Sequence, residues 1–294
     1  MPETITIAHL SDVHLPPVAG FTPRHWHVKR TLGWLNWQRK RRFIHCRAAL
    51  DAIVADAKAQ RPDHILVSGD LINIGLPAEY EAALEWLGTV GPPDRVSVVP
   101  GNHDIYVRMA SDPGVARWTP YMTGEGTSGE HAFPYVRRIG GVAIVGLNSS
   151  VPTPVGFARG LLGRPQLDRL GATLEALAGE GLVRLVMIHH PPLPGLAPRR
   201  RALVDADALE AVLRRRGAEL VVFGHNHRNI RVMSGGIPVV GVASASAARA
   251  YRDEPAGCYN LIRVTPRDGH AGPAAIAIET RGIVDGALRI GPIE

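Results

Sequence analysis

Residues 4–14 read TITIAHLSDVH, and this stretch shows the pattern on which the fold prediction depends. The apolar and β-branched residues at 4–10 predict a strand. The strand ends at Ser11-Asp12-Val13-His14, so a carboxylate and an imidazole follow directly after it. Four other predicted strands also end in residues that can bind metal ions. They are 64–70 (HILVSGD), 95–104 (RVSVVPGNHD), 182–190 (LVRLVMIHH) and 220–227 (LVVFGHNH).

Helical stretches separate these strands. Helices are predicted at 43–59, 78–87, 164–178 and 205–216 from apolar spacing and punctuation. Strands that alternate with helices indicate an α/β fold with buried sheets. From residue 230 onward the chain reads as strands and turns, which indicates a second sheet packed on the first. The length of 294 residues allows one large domain, and we treat 1–294 as a single domain.

The polar residues at the strand ends predict a metal site. Ligands of open α/β sheets bind outside the carboxyl ends of the strands, where loops distant in sequence converge. The available donors are Asp12, His14, Asp70, Asn102, His189, His225 and His227. Seven donors exceed the four of a tetrahedral zinc and suit two ions that share a carboxylate. Oxygen and nitrogen donors without thiolate favour Mn, Fe, Zn, Co or Ni, and paired ions of this kind catalyse displacements at phosphoryl esters.

The five strand-end blocks resemble the signature of the calcineurin-like metallophosphoesterase superfamily. That signature is Asp-x-His, Gly-Asp, Gly-Asn-His-Asp/Glu, His and Gly-His-x-His, and here it extends over about residues 5–230. The resemblance implies a four-layer αββα sandwich of two packed mixed β-sheets flanked by helices. It also implies an enzyme, a phosphoester hydrolase that uses a dinuclear centre of Mn, Fe or Zn and a metal-activated water.

The resemblance further implies a role for each site residue. One ion would be bound by Asp12, His14 and His227, the other by Asn102, His189 and His225, with Asp70 as the bridge. His103 would act as the acid or charge stabiliser at the leaving group, and Asp104 would orient His103 by accepting its other N–H. Successive side chains at a strand end point apart, so we expect one ligand from His189 and His190, and the His-x-Pro pattern common in the family implies His189. His190 would then be a substrate or supporting contact.

Within the superfamily, the chain is most similar to the bacterial class III cyclic-nucleotide-phosphodiesterase-like branch. The similarity is carried by 69–87 (GDLINIGLPAEYEAALEWL), 98–104 (VVPGNHD) and 161–174 (LLGRPQLDRLGATL). Asn148 stands where that branch often carries aspartate, which weighs against cyclic-nucleotide specificity. A looser likeness to UDP-2,3-diacylglucosamine pyrophosphohydrolases implies a lipid-linked pyrophosphate as the alternative substrate, hydrolysed at the membrane surface.

The expected function is therefore a phosphodiesterase or pyrophosphohydrolase that acts on a phosphorylated small molecule or a lipid-linked substrate. Additional substrate contacts are expected from His190, Asn148, Arg199 and Arg200. A non-catalytic binding module on the same fold is the alternative from another class. The presence of every expected ligand argues against that alternative.

The net charge of +6 is concentrated in residues 24–43, RHWHVKRTLGWLNWQRKRRF, which contain seven basic residues and no acid. This segment belongs to an insertion at about 16–43, directly after the first block, and holds Trp26, Trp34 and Trp37. Gly33 leaves open two helices with a break or one helix packed on both sides. Three interpretations stay open: a lid or packing helix, an element that binds an anionic membrane surface, and a nucleic-acid-binding segment, which we rank last.

Composition and termini limit the cellular setting. A hydrophobic content of 45% excludes intrinsic disorder. The two cysteines, Cys46 and Cys258, cannot form a disulfide framework, and this indicates a reducing compartment. The first residues show no signal-peptide pattern. We therefore expect a cytoplasmic protein, with peripheral association at the inner face of the membrane under the second interpretation of the insertion.

Overall fold

The computed structural model describes residues 3–108, 112–125, 133–266, 274–285 and 288–293. Its strands are β1 (Ile5–Leu10), β2 (His64–Val67), β3 (Val96–Val98), β4 (Tyr135–Ile139), β5 (Val142–Gly146), β6 (Val183–Met187), β7 (Leu220–Phe223), β8 (Ile230–Ser234), β9 (Ile237–Gly241), β10 (Cys258–Thr265), β11 (Ala275–Ile283) and β12 (Ile290–Ile293). Its α-helices are α1 (Val28–Arg39), α2 (Arg47–Ala59), α3 (Pro77–Val90), α4 (Arg164–Gly179) and α5 (Ala206–Arg216). Short 3-10 helices lie at Pro23–His25, Arg41–Phe43 and Gly114–Tyr121.

The strands form two mixed sheets. The first has the order β12-β11-β10-β1-β2-β3, and the second has the order β4-β5-β6-β7-β9-β8. Strands β1, β2 and β3 run parallel, as do β5, β6, β7 and β9, whereas the remaining pairs are antiparallel. Because parallel strands end at the same edge of a sheet, the residues that follow β1, β2 and β3 lie close together, as do those that follow β6 and β7.

Successive residues of a strand point to opposite faces of the sheet, so each strand contributes alternate residues to two layers of the core. In β6, Leu185 and Met187 belong to the core that joins the two sheets, while Val186 packs beneath α4 and α5. Leu170 of α4 and Leu209 of α5 are fully buried in this outer layer, and each contributes about 1.5–3 kcal/mol. Helix α2 packs on β10, β11 and β12 of the first sheet. Two packed mixed sheets flanked by helices confirm the predicted fold class.

Most predicted elements are present, and the differences have local causes. The helix predicted from residue 43 begins only at Arg47, because a 3-10 helix ends at Phe43 and His45 forms a β-bridge with Ala247. Strand β4 and the 3-10 helix Gly114–Tyr121 were not predicted. Strand β4 pairs with β5 through a tight turn in which Gly140 has a φ of +53°.

The insertion forms one helix, α1, that continues through Gly33. A Cβ atom on Gly33 would lie 2.6 Å from Tyr106 Oη and 2.8 Å from Ile74 Cγ2. Glycine has a low helix propensity, but at this position it permits α1 to pack closely on the body of the protein. Among the described residues, no helix has the length and apolar character needed to span a membrane.

Candidate dinuclear metal site

Five strand ends converge on one site. Strands β1, β2 and β3 of the first sheet and β6 and β7 of the second are each followed by predicted ligands. Among the described residues, eight non-glycine residues have positive φ, and five of them are predicted ligands: Asp12, His14, Asp70, His225 and His227. This backbone conformation is costly for residues with a Cβ and persists where the surrounding structure fixes it. Its concentration at the strand ends marks a functional site.

Two glycines permit the strand ends to approach each other. A Cβ atom on Gly224 would lie 2.6 Å from Asp12 Oδ2 and would overlap the side chain of Ser11. A Cβ atom on Gly101 would overlap Asp70. The glycines of the Gly-Asn-His-Asp and Gly-His-x-His blocks are therefore required by close packing of one loop against another.

Asp12, His14 and His227 form a first cluster with one oxygen of Asp70. His227 Nε2 lies 3.1 Å from Asp12 Oδ1 and 3.2 Å from His14 Nε2. His14 Nε2 is 3.8 Å from Asp12 Oδ1 and also 3.8 Å from Asp70 Oδ2. His14 Nδ1 lies 3.2 Å from the carbonyl oxygen of Ile72, which can only accept a hydrogen bond. The Nδ1 proton is assigned on this ground, so the lone pair of Nε2 faces the cluster.

Asn102, His189 and His225 form a second cluster with the same oxygen of Asp70. His189 Nε2 lies 3.3 Å from Asn102 Oδ1, 3.3 Å from His225 Nδ1 and 3.5 Å from Asp70 Oδ2. His189 Nδ1 donates to the carbonyl oxygen of Ser68 over 2.7 Å, which again leaves Nε2 directed into the cluster. Asp70 Oδ2 therefore lies between the two clusters.

The charge distribution of both clusters fits bound cations. Burial lowers the pKa of His189, but the Asp70 carboxylate outweighs this effect and raises that pKa to about 9. The Asp12 carboxylate likewise overcomes burial and raises the pKa of His227 to about 9. Asp12 Oδ1 and Asp70 Oδ2 are buried, and imidazole nitrogens lie 3.1–3.8 Å from them. Buried carboxylate oxygens and imidazole nitrogens, without thiolate, match the ligands that Mn, Fe or Zn prefer.

His103 follows Asn102 of the second cluster in the chain. Its hydrogen bonds differ from those predicted. Its Nδ1–H donates to the carbonyl oxygen of Asn73, and its Nε2 accepts a hydrogen bond from Arg41 Nη1 over 3.1 Å. Burial, and to a smaller extent the Arg41 guanidinium, lower the pKa of His103 to about 4 against the opposing effect of Asp70. In this arrangement His103 is a neutral acceptor, and Arg41 supplies the donor groups.

The predicted orienting role of Asp104 is wrong. Its carboxylate accepts backbone N–H groups at 2.8, 3.1 and 2.7 Å, from Leu71, Ile72 and Gly101 respectively. Asp104 does not accept a hydrogen bond from His103. It instead joins the loop after β2 to the loop after β3, which keeps the backbone around both clusters in place.

Two cavities meet at the clusters. The first, which we call the inner cavity, has a volume of about 370 Å³ and is lined by residues that include Arg41, Asp70, Tyr251 and Glu254. The second, the outer cavity, has a volume of about 350 Å³ and lies between α1 and residues 155–158. Both cavities are lined by Asn36, Asn102, His103, Ala158 and Arg201.

The predicted substrate contacts lie at different places. His190 is buried behind the second cluster, with Nδ1 2.8 Å from Ser149 Oγ, and lines neither cavity. The side chain of Asn148 accepts the N–H of Ser150 over 2.9 Å, also outside both cavities. Arg199 is exposed and lines neither cavity, whereas Arg200 lines the outer cavity. Of these four residues, the structure therefore places only Arg200 at the cavities.

The sequence interpretation missed two charged residues at the site, Arg41 and Glu254, and placed a third, Arg201, there only as part of the basic run 199–201. Arg41 belongs to the basic insertion. The sequence shows that this segment has an excess of positive charge, but not which of its residues faces the site. Arg201 follows Arg199 and Arg200, and its Nη2 donates to the carbonyl oxygen of His225 over 2.9 Å. Glu254 Oε2 accepts from His227 Nδ1 over 3.1 Å and so orients that imidazole. Glu254 lies 27 residues after His227 in a loop without a recognisable motif.

The basic insertion forms one wall of the site. Trp37 is buried, and Trp34 stacks on Phe21 at 5.5 Å, while Trp26 is 69% exposed. Of the basic residues, Lys29 is buried and bonded to Thr153. These contacts pack part of the insertion beside the cavities, while Trp26 and Phe43 remain exposed.

Comparison with known proteins agrees with this geometry. Residues 5–229 match the family model described as calcineurin-like phosphoesterase. The match covers most of the chain, and the chain therefore belongs to the calcineurin-like phosphoesterase family. The family predicted from the five blocks is confirmed, and membership supports hydrolysis of a phosphoric ester.

Curated relatives include a probable cyclic nucleotide phosphodiesterase from Synechococcus sp., 29% identical over 60% of this chain and 62% of the relative. A cAMP/cGMP dual specificity phosphodiesterase from Mycobacterium tuberculosis is 30% identical over 70% of this chain and 64% of the relative. The chain thus spans less than two thirds of either relative. A dimetal phosphatase from Danio rerio has a similar fold, with a TM-score of 0.63 and 16% identity over 92% of this chain and 98% of that structure.

Proposed function

We propose that this protein is a metal-dependent phosphodiesterase with a dinuclear centre. Asp12, His14 and His227 would hold one ion, Asn102, His189 and His225 the other, and Asp70 both. The observation that carries the proposal is the position of Asp70 Oδ2, 3.8 Å from His14 Nε2 and 3.5 Å from His189 Nε2. Two such ions, when bound, supply Lewis-acid stabilisation of a phosphoryl group and a nucleophile at neutral pH.

The chain itself supplies groups that bind and orient the phosphoryl group. Arg41 lines the inner cavity next to Asp70, and His103 Nε2 fixes the direction of its guanidinium. A guanidinium can donate two parallel hydrogen bonds to phosphate oxygens, which lysine cannot do. We assign Arg41 to the non-bridging oxygens of the ester, where it stabilises charge that develops in the transition state. His103 holds Arg41 in place, and its role as an acid remains a prediction.

The two cavities support a diester as the substrate class. A phosphodiester carries two substituents on phosphorus, and two cavities meet at Asn102 and His103. The inner cavity is lined by charged and polar groups, whereas Leu32, Val155 and Phe157 give the outer cavity an apolar wall. An open diester with one polar and one partly apolar arm would fill both cavities.

A cyclic nucleotide is the second candidate substrate. The names of the Synechococcus and Mycobacterium tuberculosis relatives favour it. Both ester oxygens of a cyclic nucleotide belong to one ring, so this substrate would occupy the inner cavity and leave the outer cavity largely open. Substitutions in the wall of the outer cavity would then have little effect on its hydrolysis.

A hydrolysis panel with added Mn²⁺ tests the proposal. It should contain bis-p-nitrophenyl phosphate, p-nitrophenyl phosphate, 2′,3′- and 3′,5′-cyclic nucleotides and a UDP-linked acyl sugar. We expect the diesters to be hydrolysed faster than the monoester, and the activity to be lost on treatment with a chelator. Faster hydrolysis of the UDP-linked sugar would favour the pyrophosphohydrolase alternative. An Mn²⁺-loaded protein inactive on every phosphate would favour a binding module.

A further inference from the structure

His45 lies at the first cluster but has no part in the five sequence blocks. It follows the 3-10 helix Arg41–Phe43 and is 4% exposed. Its ring stacks on Trp37 at 6.4 Å with an interplanar angle of 11°, which fixes the ring plane. The ring centre is 4.9 Å from that of His14 and 5.9 Å from that of His227. Ligand-capable nitrogens of His14, His45 and His227 all lie within 4.8 Å of one another.

A chain of hydroxyl groups indicates which nitrogen of His45 carries the proton. Ser244 Oγ lies 2.6 Å from the carbonyl oxygen of Asp12, so its proton is used in that bond. Ser244 Oγ can therefore act only as an acceptor toward His45 Nδ1, 3.5 Å away, and Ser246 Oγ, 3.4 Å away. Ser246 Oγ lies 2.8 Å from the same nitrogen, so a proton on His45 Nδ1 can be shared by both hydroxyl oxygens. We assign the proton to Nδ1 on this ground, which leaves a lone pair on Nε2.

The hydrogen bond to Ser246 orients this imidazole for metal binding. A neutral ring with a protonated Nδ1 is the form in which histidine binds a metal ion through Nε2. The serine hydroxyl has the same orienting function that Ile72 and Ser68 have for His14 and His189.

We propose that His45 is a third imidazole ligand of the ion held by Asp12, His14 and His227. The inference rests on the proposed dinuclear centre, and it makes that centre asymmetric. With Asp70, the first ion would have three nitrogen and two oxygen donors from the protein, whereas the second would have two of each. An imidazole-rich site favours Zn, Fe or Co over Mg or Ca at this position. The insertion that ends at His45 would then help build the metal site.

Co²⁺ binding tests the assignment, because the visible absorption of Co²⁺ responds to the number and type of its ligands. The variants are His45→Phe, which keeps a flat ring on Trp37, and His45→Ala, which leaves space for free imidazole. His64→Phe is the matched control, since His64 is also buried and lies 2.8 Å from the Ser97 hydroxyl, far from the clusters. Chelator competition measures the affinity for each of the two ions, and circular dichroism of the metal-free variants checks folding.

We expect both His45 variants to bind one of two Co²⁺ ions at least about 10-fold more weakly and to change the visible spectrum. His64→Phe should bind both ions as the wild type does, and free imidazole should restore the spectrum of His45→Ala. Unchanged Co²⁺ affinity and spectrum in a folded His45 variant would overturn the assignment, even if hydrolysis fell. Wild-type protein that binds no Co²⁺ would instead refute the dinuclear centre itself. If His45→Phe does not fold, His45→Ala with added imidazole decides the question.

Discussion

Arg41 Nη1 donates a hydrogen bond to His103 Nε2 over 3.1 Å, and this bond connects the basic insertion to the Gly-Asn-His-Asp block. The contact places the insertion, which follows the first strand, against the loop that follows the third. His103 also stacks on Tyr106 at 5.3 Å, and Lys29 lies 4.5 Å above the same tyrosine ring. Helix α1 therefore packs against the loop that contains His103 and Tyr106.

Replacement of Arg41 should impair hydrolysis without removing metal. We expect Arg41→Ala to lower kcat/KM for bis-p-nitrophenyl phosphate about 10²–10³-fold, as loss of a group that stabilises developing charge does. Arg41→Lys should recover little, because an ammonium group lacks the planar pair of donors. Arg42→Ala is the control, since Arg42 is exposed and contacts only Gln38 and the exposed Phe43 ring among the described side-chain contacts. Equal activity of Arg41→Ala and Arg42→Ala would contradict the assignment.

Removal of the shared carboxylate should reduce metal content. We expect Asp70→Asn to lose more than about 100-fold in Mn²⁺-dependent hydrolysis and to bind fewer than two ions, as measured by mass spectrometry. The metal-free variant should be less stable than the metal-free wild type, because Asp70 pairs with the buried His189 imidazole and accepts the N–H of His103. Stabilisation by Mn²⁺ in a thermal melt should largely disappear.

The control for Asp70→Asn is Asp168→Asn, an exposed residue of α4 paired with Arg164. It should keep wild-type metal content and activity. A fully active, two-metal Asp70→Asn protein would rule out the bridging role.

Alanine substitution should destabilise the protein at Gly33 and stabilise it at Gly88. Both lie inside helices, but a Cβ atom on Gly88 would meet nothing within 4 Å, so Gly88→Ala should stabilise the protein by about 0.5–1 kcal/mol. Gly33→Ala places a methyl group against Tyr106 and Ile74, and overpacking of this kind costs about 1–3 kcal/mol. Urea unfolding measures both values. Equal stabilisation by both substitutions would show that α1 does not pack closely on Tyr106.

Asp56 should stabilise the fold in a pH-dependent manner. Its carboxylate accepts two hydrogen bonds from Arg281, at 2.8 and 3.0 Å, and one from Tyr259 at 2.6 Å. The Arg281 guanidinium lowers the pKa of Asp56 below its ordinary value. The stabilisation is therefore complete above the unfolded pKa of about 3.9 and is lost as the pH falls through the lower, folded pKa.

We expect Asp56→Asn to lower the free energy of unfolding by about 1.5–3 kcal/mol at pH 7, with a smaller difference from wild type below about pH 4. Asp51→Asn on the same helix is the control, because its pair with Arg47 is half exposed and contributes little. Urea unfolding at both pH values measures these differences. A loss at pH 7 no larger than that of Asp51→Asn would contradict the proposed role.

The ligands at the strand ends are the part of the site that local sequence predicts. Asp12, His14, Asp70 and Asn102 are predictable from the sequence, because a short apolar strand followed by metal donors is a local pattern. The parallel strand order then places these donors at one edge. The seven ligands predicted from the sequence lie in the two clusters, and the hydrogen bond predicted between His103 and Asp104 is the one that is wrong. The real partners of Asp104 are backbone N–H groups, which every sequence contains and no side-chain pattern reveals.

The sequence by itself determined the family, the layered α/β architecture and the set of proposed ligands. The tertiary structure alone decided which charged residues join them: Arg41, Arg201 and Glu254 at the cavities, and His45 at the first cluster. The physical reason is that these contacts depend on the direction of loops and of one inserted helix. Arg199, Arg200 and Arg201 are equivalent by composition, yet the backbone directs only Arg201 to the carbonyl of His225. Such directions arise from packing between distant segments, and a linear pattern does not contain them.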